Sequence, residues 1–262
     1  MIDLDGTLLD DSKRISQQTI KALLDLPQRG VKVIVASARP PRSVRAIYQQ
    51  LALDTWQINY NGALIWDEPN SEVIFHRPLA GALARSIVEQ ARQLHPGILV
   101  TCEILDRWYT DRFEQTYTTA TGRLFKPDVV APLDTFCDRP ITKLMLLGPP
   151  EVIGQLEPVV SGWHPKEIAT VRTDPELIQI MHRRVGKSAA LRQVARHYEI
   201  PLHEVMAIGD APNDVGMLQL AGVSIAMNNA HPLVKRVADW IAPSNNDHGV
   251  CAALARYGLC SA

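Results

Sequence analysis

Apolar and polar positions along this chain follow one rhythm in the first and last thirds and another in the middle. After Ser16, a residue suited to cap a helix, Ile20, Leu23 and Leu24 recur at helical spacing until Pro27 breaks the pattern before Gly30. Residues 31–37, VKVIVAS, form a β-branched run of the kind buried in a parallel sheet. Pro40 and Pro41 can open a second helix carrying Val44, Ile47 and Leu51. The segment INYNGALIW then predicts a strand, a tight turn and another strand.

The last third returns to the same alternation. The spacing predicts an amphipathic helix over 187–198 with Leu191, Val194 and Ala195 on one side, and a short buried strand over 205–209. A helix over 212–221, a strand over 222–227 and a helix over 231–238 follow. Strands alternating with helices make an α/β protein, a Rossmann-like parallel sheet with helices on both faces.

The middle of the chain reads differently. A helix over 79–94 ends at Pro96-Gly97, and ILVTCEIL, RWYTDRF and ITKLMLLG follow as strands. A helix after Pro150 precedes two more strands, KEIATVRT and ELIQIMH. Strands that follow one another without a helix between them pair antiparallel. The expected organisation is a core of residues 1–77 and 179–262 interrupted by an α+β cap domain over 78–178, about the size of one domain.

Composition sets bounds on this picture. Of 262 residues 46% are hydrophobic and 21% charged, enough apolar material for one large core or two smaller ones. Basic residues number 27 against 28 acidic ones, so no field of one sign argues for a nucleic-acid partner. No apolar run is long enough to span a bilayer, and the acidic start MIDLDGTLLDD is not a secretory signal. Cys102, Cys137, Cys251 and Cys260 are scattered, which fits reduced thiols in the cytoplasm.

Four short segments carry candidate chemistry. In Asp3-Leu4-Asp5-Gly6-Thr7, alternation along an extended chain points both carboxylates the same way. Two adjacent carboxylates call for a cation or a shared proton, although an acidic surface turn would use the same residues. Ser37 follows a strand, where a hydroxyl and free N–H groups can hold a phosphate, or where serine merely caps a helix. Lys187 opens a helix, an unfavourable place for a cation unless an anion lies near, and is otherwise a solvated lysine. Gly209-Asp210-Ala211-Pro212-Asn213-Asp214 sits between strand and helix, where α/β sheets bind ligands, and Asp210 could equally be a helix cap.

In chain order these four segments resemble the haloacid dehalogenase-like (HAD) hydrolases. The insertion between Ser37 and Lys187 matches the class IIB cap of the Cof-type phosphatases. Asn61-Gly62-Ala63, Ala226-Met227-Asn228-Asn229-Ala230 and Asn245-Asn246-Asp247-His248-Gly249-Val250 are further points of likeness. The resemblance implies a Mg²⁺-dependent phosphatase acting on a small phosphorylated metabolite. Sugar phosphates lead, with flavin mononucleotide and pyridoxal phosphate as alternatives. Asp3 would attack phosphorus and form an aspartyl-phosphate, and Asp5 would serve as acid and base. Mg²⁺ would be held by the Asp3 carboxylate, the Asp5 carbonyl and Asp210, with Asp214 orienting them. Ser37, Lys187 and Asn213 would hold the phosphoryl oxygens.

The chain departs from the family pattern in three places. Only Met1 and Ile2 precede Asp3, where a full buried strand is expected, and the natural protein is therefore expected to begin upstream with about five more mostly apolar residues. Ala38 and Ser188 each stand where the family often has glycine. Two other functions remain open: a phosphomutase of similar capped design, and a phosphate-binding or interaction protein whose site is impaired by the short first strand. Trp108, Tyr109 and His182 are expected to be packing residues rather than ligand contacts. The protein is expected to be a monomer or a homodimer.

Overall fold

The structure, a computed structural model, describes residues 1–114 and 122–260. The chain divides into two compact units, Met1–Ile74 with Gly186–Ala262, and Phe75–Val185.

The first unit begins with β1 (Ile2–Asp3), α1 (Gln17–Asp25), β2 (Val35–Ala36), α2 (Pro41–Gln50), β3 (Gln57–Asn59) and β4 (Leu64–Asp67). The Ser16 hydroxyl accepts from the N–H of Thr19 at 3.2 Å, capping α1 as its position predicts. Pro41 is the first residue of α2, where its missing N–H leaves nothing unpaired. A further strand, β5 (Glu72–His76), leads into the second unit.

That unit contains α3 (Gly81–Leu94), β6 (Leu99–Ile104), β7 (Arg107–Thr110), β8 (Val129–Val130), β9 (Lys143–Leu147), α4 (Pro150–Trp163), β10 (Ile168–Asp174) and β11 (Leu177–His182). Its strands lie in the order β10-β11-β9-β6-β7-β8, antiparallel except for the β7–β8 pair. The period of two along each strand divides its side chains between two faces. Val100, Cys102, Leu144, Leu146, Ile178 and Ile180 join Ile87 and Ala91 of α3 and Ile153 and Leu156 of α4 in the main core. The alternate positions Leu99, Met145, Leu147 and Leu177 form a small cluster of their own. Trp108 and Tyr109 are buried, as packing residues should be. The Trp108 indole donates to the Thr101 hydroxyl, and the Tyr109 ring lies 5.7 Å from that of Phe136. His182 accepts from the N–H of Arg184 at 3.0 Å within its own turn.

The chain then completes the first unit with α5 (Lys187–His197), β12 (Met206–Gly209), α6 (Val215–Leu218), β13 (Val223–Met227), α7 (Pro232–Lys235), β14 (Trp240–Ala242) and α8 (Gly249–Arg256). Its sheet runs β14-β13-β12-β1-β2-β3-β4-β5, parallel from β14 to β3 and antiparallel where β4 returns on β3. This is a Rossmann-like α/β core, in which α1 packs on α8 and α5 on α6. β1 is central. Ile2 pairs with Val35 on one side and Ile208 on the other, and the Met1 nitrogen donates to the Met206 carbonyl at 2.7 Å.

Several elements differ from the sequence-based expectation. β2 covers two residues rather than the whole 31–37 run, pairing with Ile2 and Asp3 of β1 and, through Ala36, with Ile58 of β3. The helix expected over 212–221 begins as a 3₁₀ turn over Pro212–Asp214 and is α-helical over Val215–Leu218, and the one expected over 231–238 covers only Pro232–Lys235. Among the described residues no helix is long and apolar enough to cross a membrane.

Candidate active site

Three neighbouring parallel strands end at one place. Asp3 closes β1, Ser37 follows β2 and Asp210 follows β12. The chain leaves β1 toward β2 on one side and returns through β12 on the other, so this is the point where the sheet order reverses. The exit from β1 is tight. Gly6 has φ +81°, and a Cβ there would lie 2.4 Å from Asp210 Oδ2. The next residue, Thr7, donates its hydroxyl to Asp210 Oδ1 at 2.7 Å.

Asp3, Asp210 and Asp214 each bring a carboxylate oxygen within 4.8 Å of the others. Lys187 Nζ lies between two of them, donating to Asp3 and to Asp214 Oδ1, the latter at 2.6 Å. Both Lys187 and Asp214 are fully buried. Asp214 Oδ2 also accepts from the N–H groups of Asp210 and Ala211, each at 3.0 Å. Asp214 is therefore committed to orienting its neighbours. Gly209 makes room for it, since a Cβ at 209 would sit 2.6 Å from Asp214 Cβ.

The charges do not balance. One ammonium faces three carboxylates in a low-dielectric setting. Burial pushes the Asp3 carboxyl well above the ordinary aspartate range; Lys187 opposes this, while Asp214 and Asp210 add to it. Asp210 is raised as well, by burial and by Asp214, against the Thr7 hydrogen bond. Burial alone would lower Lys187, but Asp3 and Asp214 together outweigh it and hold the ammonium charged. One ammonium shared between two carboxylates can neutralise only one, so Lys187 and Asp3 both shift upward. An all-oxygen donor set with excess negative charge suits a hard divalent cation, so these residues fit a metal site.

The Asp5 carboxylate lies outside this cluster. It accepts from Arg39 Nε at 2.7 Å, Arg39 Nη2 at 2.5 Å and Lys13 Nζ at 2.8 Å, and its side chain is 40% exposed. Burial favours the neutral acid, but the hydrogen bonds from Arg39 and Lys13 outweigh it and lower the pKa. Asp3 and Asp5 thus have different partners, one buried on Lys187 and one turned to the cations at the rim.

Ser37 is buried. Its hydroxyl accepts from the N–H of Arg39 at 3.1 Å, and its own N–H continues the sheet by donating to Ile58 at 2.8 Å. That N–H is therefore not one of the free donors expected at this strand end, and the hydroxyl proton is the group Ser37 can offer. Asn213 is exposed and donates Nδ2 to Asn61 Oδ1 at 2.9 Å. Behind these residues, Asn229 Nδ2 donates to the Gly6 carbonyl at 2.8 Å and Asn245 Nδ2 to that of Leu9 at 3.0 Å. The two asparagine motifs near the end of the chain thus brace the turn after β1.

Sequence reasoning missed Thr7, Lys13 and Arg39 as contacts of the site, and picked out Asn61 only as part of a motif of family likeness. Thr7 and Arg39 stand within two residues of positions singled out from the pattern, so proximity was the available signal. Lys13 reaches the site through loop geometry that no local pattern encodes, and none pairs Asn61 with Asn213.

Comparison with known proteins gives a consistent result. The model of the haloacid dehalogenase-like hydrolase family matches residues 1–254. The chain is similar to a Bacillus subtilis protein, 5-amino-6-(5-phospho-D-ribitylamino)uracil phosphatase YitU, at 28% identity covering 98% of this chain and 96% of that one. It superimposes on a haloacid dehalogenase-like hydrolase from Bacteroides thetaiotaomicron with a TM-score of 0.88, 25% identity, and coverage of 98% and 97% of the two chains. The HAD subclass IIB sugar phosphatase BT4131 shares the fold at a TM-score of 0.82 and 21% identity, over 99% of this chain and 98% of that one.

Proposed function

The chain belongs to the haloacid dehalogenase-like hydrolases, as a phosphoric monoester hydrolase with a subclass IIB fold, and on that premise we propose that it is a Mg²⁺-dependent phosphatase of sugar phosphates and related small esters. The observation that carries this reading is the cluster of Asp3, Asp210 and Asp214 around Lys187 at the ends of adjacent strands.

In the proposed reaction an Asp3 carboxylate oxygen attacks phosphorus. The bond from phosphorus to the ester oxygen breaks, and that oxygen takes a proton from Asp5. Water then attacks the phosphorus of the aspartyl-phosphate and gives a proton back to Asp5. The bond from phosphorus to Asp3 breaks, and inorganic phosphate leaves. Lys187, the Ser37 hydroxyl and Asn213 hold the non-reacting phosphoryl oxygens, where fixed donors act on the charge of the transition state. Asp3, Asp210 and the Asp5 carbonyl would hold Mg²⁺, and Asp214 keeps Lys187 and the 210–211 backbone in place. When bound, Mg²⁺ supplies positive charge that offsets the carboxylates and polarises the phosphoryl group. For Asp5 to deliver a proton, Arg39 and Lys13 must loosen their hold on its two oxygens.

The substrate class is supported by the relative named for a phosphorylated ribityl compound and by the fold neighbour named a sugar phosphatase. We assign substrate discrimination to the inserted unit Phe75–Val185, since the first unit already holds every residue of the reaction above. The test is phosphate release from a panel of sugar phosphates, flavin mononucleotide and pyridoxal phosphate, with Mg²⁺ and with a chelator. The expected result is turnover of one or more sugar phosphates that stops in the chelator. Isomerisation without phosphate release would point to a mutase, and no turnover of any ester would point to a binding protein.

A further inference from the structure

The loop after β3 is bent in a way that residues with side chains avoid. Tyr60, Asn61 and Gly62 have φ of +48°, +57° and +97° in succession. Glycine takes such angles freely and asparagine tolerates them, but tyrosine does not, and Tyr60 is fully buried. A backbone held in this region by its surroundings tends to mark a functional site.

The surroundings here are the segments that carry the proposed phosphoryl ligands. The Tyr60 N–H donates to the Arg39 carbonyl at 3.3 Å, and the Asn61 N–H to the Ser37 carbonyl at 2.9 Å. Gly62 lies against the residue before Lys187, and a Cβ at 62 would be 2.6 Å from the Gly186 carbonyl oxygen. Asn61 Oδ1 accepts from Asn213 Nδ2 at 2.9 Å. Three consecutive residues thus touch the segments bearing Ser37, Lys187 and Asn213.

Asn213 is the member of that set with least other support. Ser37 and Lys187 are buried, whereas Asn213 is exposed, and no packing fixes its side chain. Its amide has two hydrogens, and giving one to Asn61 sets the plane of the amide and the direction of the other. We propose that Asn61, held in the left-handed conformation at the end of β3, is a positioning residue that fixes the Asn213 amide for contact with the phosphoryl group. The inference rests on the reading of Asn213 as a phosphoryl ligand. It explains why asparagine suits position 61: it accepts the backbone angle that glycine would, and it supplies the acceptor that glycine lacks.

The test uses Asn61→Gly, Asn213→Ala and the double variant, with p-nitrophenyl phosphate as substrate and inorganic phosphate as inhibitor, in Mg²⁺. Asn61→Gly keeps the backbone angle and removes only the side chain. KM and the phosphate inhibition constant are expected to rise about fivefold, with kcat changed less and the melting temperature retained. The double variant is expected to be no worse than Asn213→Ala alone, because the two side chains act as a unit. Wild-type constants in Asn61→Gly beside an impaired Asn213→Ala would overturn the proposal alone, as would effects that multiply. A silent Asn213→Ala would overturn the assignment of Asn213 and the proposal with it. A measurement on the wild-type protein does not depend on how the variants fold: ¹⁵N relaxation should show the Asn213 side-chain amide ordered before substrate binds, and free rotation would contradict the proposal.

Discussion

Asp3 and Asp5 are two residues apart and are held in opposite electrostatic states. Asp3 is buried among Lys187, Asp210 and Asp214 with its pKa raised, while Asp5 is held by Arg39 and Lys13 with its pKa lowered. A nucleophile that must ionise in a buried acidic cluster gains from a cation, and this has a measurable consequence. Without metal, raised folded values for Asp3 and Asp210 mean that the folded state binds protons more readily than the unfolded chain. The contribution of Asp3 and Asp210 to the stability of the metal-free protein should therefore fall as pH rises from the ordinary aspartate value, about 3.9, through the raised folded values. Mg²⁺ binds the ionised carboxylates, so its stabilising effect should be absent at the acid end of that window and grow with pH. Melting curves with and without Mg²⁺ across the window check this, and a magnesium shift independent of pH would contradict it. The four charged residues Asp3, Lys187, Asp210 and Asp214 were legible in the sequence because each sits at a strand end or the helix start that follows. The Arg39–Asp5 and Asn213–Asn61 bonds span 34 and 152 residues, and no local pattern reports contacts of that range.

Among the elements, the turn after β1 bears most directly on the site. Gly6 leaves free the space beside the Asp210 carboxylate that a side chain would fill. Gly6→Ala would place a methyl group 2.4 Å from Asp210 Oδ2 at a φ of +81°. The strained backbone costs about 1–3 kcal/mol, and the displaced carboxylate can no longer serve the cation. The expected outcome is a lower melting temperature together with weaker Mg²⁺ affinity, read by thermal melts and by magnesium titration of activity. An unchanged magnesium affinity would show that Asp210 is not a ligand. The alternating strands and helices were readable wherever proline, glycine or a capping residue punctuated them, as at Ser16 and Pro41. The exceptions have local causes. β14 is a three-residue strand with Ile241 45% exposed, too short and too mixed to stand out. α8, with Val250, Cys251, Ala253 and Leu254 buried, carries Arg256 as its one charge and shows little polar face. β2 is shorter than its apolar run, and a single segment does not reveal where pairing stops.

For the whole molecule, the insertion was visible as a change in rhythm, since strands that follow one another without a crossover between them cannot pair parallel. The Phe75–Val185 unit has its own six-stranded sheet and its own core, and the Rossmann-like unit is built from the two flanking segments. Every residue assigned to the chemistry comes from those two segments, Asp3, Asp5 and Ser37 from the first and Lys187, Asp210, Asn213 and Asp214 from the second. The proposed reaction therefore requires both segments folded together, and the Asp3–Lys187 contact is one of several that join them, with the β1–β12 pairing and the Thr7–Asp210 bond. The most direct test of the account is a rapid acid quench of the enzyme turning over p-nitrophenyl phosphate in Mg²⁺, followed by peptide mapping by mass spectrometry. The account predicts one phosphoryl group on the peptide containing Asp3, fragmenting to Asp3 itself and absent when a chelator is added. Steady turnover with no adduct, or with the adduct on another residue, would contradict it.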